Sequence, residues 1–116
     1  KGEESVMKDT TMELLVVVSN PGHNDLVMDA ARGAGAYGGT VIHARGTGMN
    51  QAELFFGVSL ASEKDLTFIV TKKNQRNAIM SAIMKEAGMD TPAQSIVFSL
   101  PVTDAVGLNT GGEDTK

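Results

Sequence analysis

The chain has 116 residues, of which 41% are hydrophobic and 21% are charged, a balance typical of one globular domain and not of a disordered segment. Its formal net charge of −4 argues against non-specific binding to nucleic acids or anionic membranes, and the absence of cysteine excludes disulfides and thiolate chemistry. No apolar run is long enough to cross a bilayer and no signal peptide is recognisable, so we expect a cytoplasmic protein.

The N-terminal part of the sequence predicts a flexible segment followed by a buried strand. Residues 1–11 are polar and mixed in charge, so we expect them to be loosely ordered. Residues 13–19 (ELLVVVS) form a short β-branched run that ends at the turn signal Asn20-Pro21-Gly22. Because this run is apolar almost throughout, it predicts a strand that is buried on both faces.

A helix and a second strand are predicted next. Apolar residues recur at helical spacing, and Asn24 or Asp25 is expected to cap the helix. The glycines from Gly33 onward end it, because glycine adopts the backbone conformations that follow a helix C-terminus. Residues 40–44 (TVIHA) then predict the second strand, and residues 46–51 predict an exposed loop.

A hairpin is predicted in the middle of the chain. Residues 53–61 alternate weakly between apolar and polar side chains, whereas residues 65–71 alternate clearly. The polar tripeptide at 62–64 (SEK) between them predicts the hairpin turn.

The C-terminal part of the sequence predicts a second helix and a last strand. Asn74 is expected to cap a helix that runs to Ala87 and stops at Gly88. Residues 95–100 (SIVFSL) predict the last strand, which Pro101 closes because proline has no N–H group to donate to a sheet.

The predicted order is β-α-β-β-α-β, the ferredoxin-like arrangement of the α+β class. We expect one ferredoxin-like domain over residues 12–108, between the flexible N-terminal segment and a flexible, polar C-terminal tail at 109–116. Helices cover only one side of such a sheet. A first strand that is buried on both faces therefore requires a partner subunit on the other side.

The sequence contains no recognisable catalytic set. The string from Gly33 to Gly38 matches the dinucleotide fingerprint G-x-G-x-x-G, but it ends a helix where the fingerprint must open one. His23 and His43 are the only histidines, too few for a four-ligand zinc site in a chain without cysteine. We expect His43 to be a packed or hydrogen-bonded strand residue. The sequence thus predicts no enzyme and no metal site.

The strongest candidate for binding chemistry follows the second strand. Arg45 ends that strand, and Gly46-Thr47-Gly48 allows close approach of the backbone, whose N–H groups can hold an anion. An ordinary hairpin loop has the same composition. The residues alone leave both interpretations open.

At this point residues 12–108 resemble the P-II nitrogen regulatory protein family, in a divergent P-II-like branch with a short T-loop. Besides the element order, Gly46-Thr47-Gly48 and the later Glu53-Leu54-Phe55-Phe56-Gly57 are similar to the base and exit of the family's T-loop. The predicted helix ends at Gly88, where the family's B-loop begins. Residues 97–102 (VFSLPV), followed by Asp104-Ala105, resemble the family's final strand and its V-x-D-A continuation.

The resemblance implies a homotrimeric, non-enzymatic signalling protein, linked to nitrogen regulation, that binds a ligand between subunits. It further implies docking on a transporter, enzyme or transcription factor through the loop at 46–53. The expected ligand-binding residues are Arg45, Gly46, Thr47, Gly48, Gln51 and Gly88. Of these, the resemblance implies Gly46, Gly48, Gln51 and Gly88. Those that it places at the protein partner are Met49, Asn50 and Glu53, with Asn50 as the alternative to Gln51 for a family glutamine.

The sequence also departs from the family pattern. The segment 88–95 has no lysine to meet a phosphate, the C-terminal arginine of the family is missing, and Phe55 stands near the position of the modifiable tyrosine. The cofactor is therefore unknown, with an adenine nucleotide as the candidate and a monophosphate favoured over ATP. The alternative is a small-molecule-binding or metal-binding trimer that resembles the divalent-cation-tolerance proteins. An enzyme on a ferredoxin-like scaffold is a third, minor possibility.

Overall fold

The computed structural model describes residues 11–47 and 61–108, which fold into one antiparallel sheet with two helices on one of its faces. The elements follow in the order β1 (Met12–Ser19), α1 (Asn24–Gly33), β2 (Thr40–Thr47), β3 (Ala61–Lys72), α2 (Lys73–Ala87) and β4 (Ile96–Pro101). This order confirms the predicted α+β class and ferredoxin-like arrangement. The segment 48–60 and both chain ends, with the predicted flexible segments, lie outside the described residues apart from Thr11.

The four described strands lie side by side in the order β2-β3-β1-β4, and every neighbouring pair is antiparallel. Val16 at the centre of β1 lies opposite Phe68 of β3 and Phe98 of β4. Because successive side chains alternate between the two faces of a strand, the odd-numbered residues of β1 and β3 face the helices and the even-numbered ones face away.

The hydrophobic core lies between the sheet and the helices. Leu15 and Ile69 on the sheet are fully buried, as are Ile79 and Ile83 on α2 and Val27 on α1. These aliphatic side chains form one cluster, which explains how a chain with few aromatic residues still builds a core. Each fully buried side chain of this kind contributes roughly 1.5–3 kcal/mol of transfer free energy.

The other side of the sheet carries an uncovered apolar surface, which we call the open face. In contrast to the predicted burial on both faces of β1, its even-numbered residues are only half-buried, because no second layer covers them in a single chain. On β4 the large apolar side chains are exposed outright. The open face consists of Leu14, Val16, Val18, Ile42, Leu66, Phe68, Val70, Ile96, Phe98 and Leu100.

β2 and β3 are longer than the strands predicted at 40–44 and 65–71, whereas the strand predicted at 53–61 lies outside the described residues except for Ala61. β2 continues through Gly46 and Thr47, which the sequence places in the loop, and β3 already begins at Ala61. The predicted turn at 62–64 is therefore wrong. Gly46 pairs with Ser62, and this cross-strand pairing outweighs the polar local composition.

The predicted helix caps also differ from those observed. His23 and not Asn24 or Asp25 precedes α1, and Lys72 and not Asn74 precedes α2, in both cases without a side-chain capping bond. At the start of α2 the Lys73 N–H instead donates to the carbonyl of Thr11. β4 includes Pro101 as its last residue. Among the described strands β4 pairs only with β1, so the missing N–H lies at an edge.

Candidate functional site

The predicted ligand-binding residues that the structure describes lie at one end of the sheet. Here β1 and β2 finish, β3 begins, and the segment 88–95 packs against the end of β1. The Asn20 N–H donates to the carbonyl of Ala93 at 2.9 Å, which ties that segment to β1. We call this region the loop end of the sheet.

Arg45 lies on β2 directly opposite Glu63. The guanidinium Nη2 and the carboxylate Oε2 are 3.9 Å apart, and the side chains are 73% and 71% exposed. An ion pair this exposed contributes at most about 1 kcal/mol, so Arg45 can exchange Glu63 for a bound anion at little cost. Gly46 and Thr47 follow on the same strand, while Gly48, Met49, Asn50, Gln51 and Glu53 lie outside the described residues.

Gly88 begins a turn that has a fixed shape. A Cβ at this position would collide with the carbonyl oxygen of Met84, so only glycine fits. Thr91 then closes the turn, with its N–H donating to the Gly88 carbonyl at 3.0 Å and its hydroxyl at 2.8 Å. Gln94 follows with φ of 48°, an uncommon conformation for a residue with a side chain. The segment thus forms hydrogen bonds of its own, in addition to the bond from the Asn20 N–H.

Asn20 connects this turn to a cation that the sequence does not place there. Its side-chain Nδ2 donates to the Pro92 carbonyl at 2.9 Å, and its Oδ1 accepts from Lys64 Nζ at 2.9 Å. The segment 88–95 has no lysine of its own, yet the Lys64 ammonium lies within two hydrogen bonds of it. Sequence reasoning missed Lys64 and Asn20, since 44 positions separate them and only the β1–β3 register brings them together.

The predicted ligand residues that the structure describes, residues 45–47 and Gly88, do not lie together within a single chain. β3 lies between β2, which carries Arg45, and β1, to which the turn after Gly88 is bonded. Two strand spacings of about 4.8 Å therefore separate the backbones of β2 and β1. Residues 45–47 and the turn after Gly88 thus share an end of the sheet but are separated by the width of β3.

At the same end of the sheet, the exposed side chain of His43 pairs with the buried side chain of Asp65. The imidazole Nδ1 lies 2.6 Å from Asp65 Oδ1, and the side chains are 83% and 1% exposed, respectively. Asp65 Oδ2 also accepts the Gly22 N–H at 3.2 Å. The prediction of a hydrogen-bonded strand residue is therefore confirmed for His43, while close packing is not observed.

A second concave region lies at the start of β2. A cavity of about 350 Å³ is lined by Tyr37, Gly38, Gly39, Thr40, Phe68, Val70 and Leu108. Gly39 is required here, because a Cβ would lie 2.9 Å from the carbonyl oxygen of Phe68. The G-x-G-x-x-G string that precedes it ends α1, where the Gly35 N–H donates to the Arg32 carbonyl, as the prediction of a helix terminus requires.

The model of the family described as "Nitrogen regulatory protein P-II" matches residues 12–112, nearly the whole chain. The chain belongs to the P-II family. This membership confirms the resemblance found in the sequence and makes the protein a P-II-like regulatory protein. No curated protein sequence is similar enough to count as a match.

Solved structures of two P-II proteins and of CutA share the fold. The GlnK–ATP complex of B. subtilis is 15% identical, with a TM-score of 0.65 over 84% of this chain and 86% of that one. PII of Arabidopsis thaliana bound to citrate is 25% identical, with a TM-score of 0.61 over 82% and 78% of the two chains. CutA of Synechococcus elongatus is 11% identical, with a TM-score of 0.71 over 91% and 89%.

The described residues of this P-II protein contain neither a membrane-spanning helix nor a metal-ligand cluster. Neither helix over 11–47 and 61–108 is long and apolar enough to cross a membrane. In the same ranges no group of three or more histidine, aspartate or glutamate side chains is arranged to hold a metal ion.

Proposed function

We propose that this P-II protein is a homotrimeric, non-enzymatic, cytoplasmic regulator whose subunits meet through the open face. A small anionic ligand binds between subunits, and the loop at 46–53 docks on a regulated protein linked to nitrogen regulation. The trimerising unit is the domain at 12–108, between flexible segments at 1–11 and 109–116. The observation that carries the proposal is the uncovered apolar sheet surface.

The open face has the composition of a subunit interface. Three rows of apolar side chains run across the sheet, one of them through Leu66, Val18 and Ile96, which lie opposite one another in neighbouring strands. A contiguous apolar surface of this kind on a folded domain marks an interaction site. Burying it at roughly 25 cal/mol per Å² stabilises an assembly that a single chain cannot provide.

The separation of the ligand residues within one chain also supports a site that two neighbouring subunits form together. One subunit supplies backbone donors and one guanidinium, from Arg45, Gly46 and Thr47 together with Gly48 and Gln51. The turn after Gly88 from a neighbouring subunit supplies the opposite wall, with Lys64 behind it. The alternative, a metal-binding or small-molecule-binding trimer, is compatible with the likeness to CutA, but the family match favours the regulator.

The charges available at such a site favour a ligand with one or two negative charges. Lys64 is engaged by Asn20, and Asp90 adds a negative charge to the turn. Each missing charge-assisted contact forgoes roughly 1.5–3 kcal/mol, about tenfold or more in affinity. An adenine monophosphate therefore fits better than ATP. That GlnK of B. subtilis binds ATP and PII of Arabidopsis binds citrate shows that this fold admits anions of different size.

Calorimetry with AMP, and with ATP in the presence and absence of Mg²⁺, tests the ligand. We expect AMP to bind at least as tightly as ATP, and ATP to bind no better than high micromolar. The R45Q variant should weaken AMP binding roughly tenfold. The matched control is R32Q, since Arg32 is an exposed arginine in the last turn of α1. A low-micromolar ATP affinity that rises strongly with Mg²⁺ would contradict the proposed charge balance.

The docking role of the loop has a separate test. Replacing Met49 and Glu53 together by alanine should leave the assembly and ligand binding unchanged. It should reduce the recovery of proteins cross-linked to the wild-type chain in cells. Equal recovery with both forms would remove the loop from the docking surface.

A further inference from the structure

We propose that His43 and Glu63 form a weak binding site for divalent transition metal ions that prefer imidazole, such as Zn²⁺. The site lies on the helix side of the sheet, at the edge strand β2, where a concave region of about 400 Å³ is lined by Pro21, His43, Ala44, Arg45, Glu63, Lys64 and Asp65. It comprises two protein ligands, with water in the remaining positions.

The hydrogen bond from His43 to Asp65 fixes which ring nitrogen is available. An ionised carboxylate can only accept hydrogen bonds, so Nδ1 carries the proton and donates it to Asp65 Oδ1 at 2.6 Å. Asp65 is itself held, because its other oxygen accepts the Gly22 N–H. In the neutral imidazole, Nε2 then carries the lone pair, on a side chain that is 83% exposed.

This arrangement is the one found behind metal-bound histidines. A ligating imidazole almost always donates its other N–H to a carboxylate or carbonyl, which orients the ring and raises its basicity. Here a carboxylate that is 1% exposed performs this role for an imidazole on the surface.

The charges around His43 favour a cation over an anion. In the neutral ring whose Nδ1 donates to Asp65, the outward Nε2 is an acceptor, which suits a metal ion. Glu63 and Asp65 contribute two carboxylates on this side of β3, against the single guanidinium of Arg45. The Lys64 ammonium is engaged by Asn20 instead.

Glu63 is the second ligand because of the strand register. His43 lies opposite Asp65, and Arg45 lies opposite Glu63, so His43 and Glu63 are diagonal neighbours on the same side of the sheet. Diagonal neighbours are about 7–8 Å apart, a gap that a glutamate and an imidazole can bridge through one ion. The exposed contact between Glu63 and Arg45 is 3.9 Å long and weak enough to exchange.

The test is nitrogen-detected NMR of the histidine rings in the full, tag-free chain, first without metal and then during titration with ZnCl₂. The chain has only two histidines and no cysteine, so the spectrum contains two rings and no thiolate competes for zinc. His23, which makes no capping hydrogen bond at α1, is the internal control. We expect the Nδ1–H tautomer for His43, and half-saturation at roughly tenfold less zinc than for His23.

Three variants assign the site. E63Q should raise the zinc concentration that half-saturates His43, whereas the control E86Q, which removes an exposed carboxylate on α2, should not. D65N should weaken zinc binding roughly 10–100-fold and abolish the fixed tautomer. If D65N fails to fold, the proposal is still tested by the tautomer of His43 in the wild type and by the zinc midpoints of E63Q and E86Q.

Equal zinc midpoints for the two histidines, an Nε2–H tautomer at His43, or an unchanged midpoint in E63Q would each overturn the proposal. The inference does not rest on the proposed trimer, because His43 lies on the side of the sheet opposite the open face. A chain that binds zinc as a monomer would therefore contradict the proposed trimer but not the proposed zinc site.

Discussion

Phe98 of β4 lies directly opposite Val16 of β1 on the open face, and its side chain is 54% exposed although its neighbour is half-buried. An exposed phenylalanine beside an apolar strand is costly to leave in water and valuable to cover, because a fully buried aromatic ring removes about 150–250 Å² from solvent. This pair therefore identifies the part of the open face whose burial by a second subunit would stabilise an assembly most.

The F98D variant should break the assembly without unfolding the chain. The aspartate would sit on a surface that is already exposed in one subunit, yet it would bury a charge in the proposed interface. Sedimentation should report a lighter species than for the wild type. The control is S99D, the adjacent exposed residue on the other side of β4, which should keep the wild-type mass. Identical masses for both variants would contradict the assignment of the open face.

Ile83 and Met84 on α2 test the position of the core. Ile83 is fully buried against the sheet, whereas Met84 is exposed. I83A should lower the free energy of unfolding by about 2–5 kcal/mol, because it removes buried methylene groups and leaves a cavity. M84A should change it by about 0.5 kcal/mol or less. Urea denaturation of both variants measures these free energies of unfolding. Similar decreases for I83A and M84A would contradict the assignment of the α2 face that packs on the sheet.

Gly88 should not tolerate a side chain. A Cβ there would meet the Met84 carbonyl oxygen, so G88A must shift the end of α2 and the turn that follows. G33A at the end of α1 is the matched control, because a Cβ at that position would have nothing within 4 Å. We expect G88A to lower the melting temperature, and G33A to leave it unchanged or to raise stability by about 0.4–1 kcal/mol. Equal melting temperatures for G88A and G33A would show that the turn after α2 accommodates a side chain at position 88.

Asn20 should control the order of the segment 88–95. N20A removes the side-chain bonds to Pro92 and Lys64 but keeps the backbone bond to Ala93. Each lost bond contributes about 0.5–1.5 kcal/mol, so hydrogen exchange at the Gln94 and Ser95 amides should accelerate about tenfold. N74A, at an exposed position in the first turn of α2, should leave those amides unchanged. Unchanged exchange in N20A would mean that the turn holds its shape alone.

The sequence predicted the fold well because its strongest signals are local. The β-branched run at 13–19 and the glycine stop at Gly88 each specify an element by composition alone. The hairpin was predicted less well, since pairing between Gly46 and Ser62 is a tertiary contact that local polarity does not show.

The candidate site was only partly predictable. The Arg45-Gly46 segment and Gly88 have recognisable composition, so the sequence places them. The contacts of Lys64 with Asn20, and of His43 with Asp65, depend on the strand register across 44 and 22 positions. No periodicity within either segment indicates them. The pairing of an exposed imidazole with a buried carboxylate becomes visible only once β2 and β3 are aligned.

The most direct test of the central claim, a trimer assembled through the open face, is native mass spectrometry of the wild-type chain. One measurement reports both the number of subunits and any small molecule that they retain. We expect a species of about 37 kDa, three times the 12.2 kDa of one chain, which persists at micromolar concentration. A stable monomer of 12.2 kDa under the same conditions would contradict it.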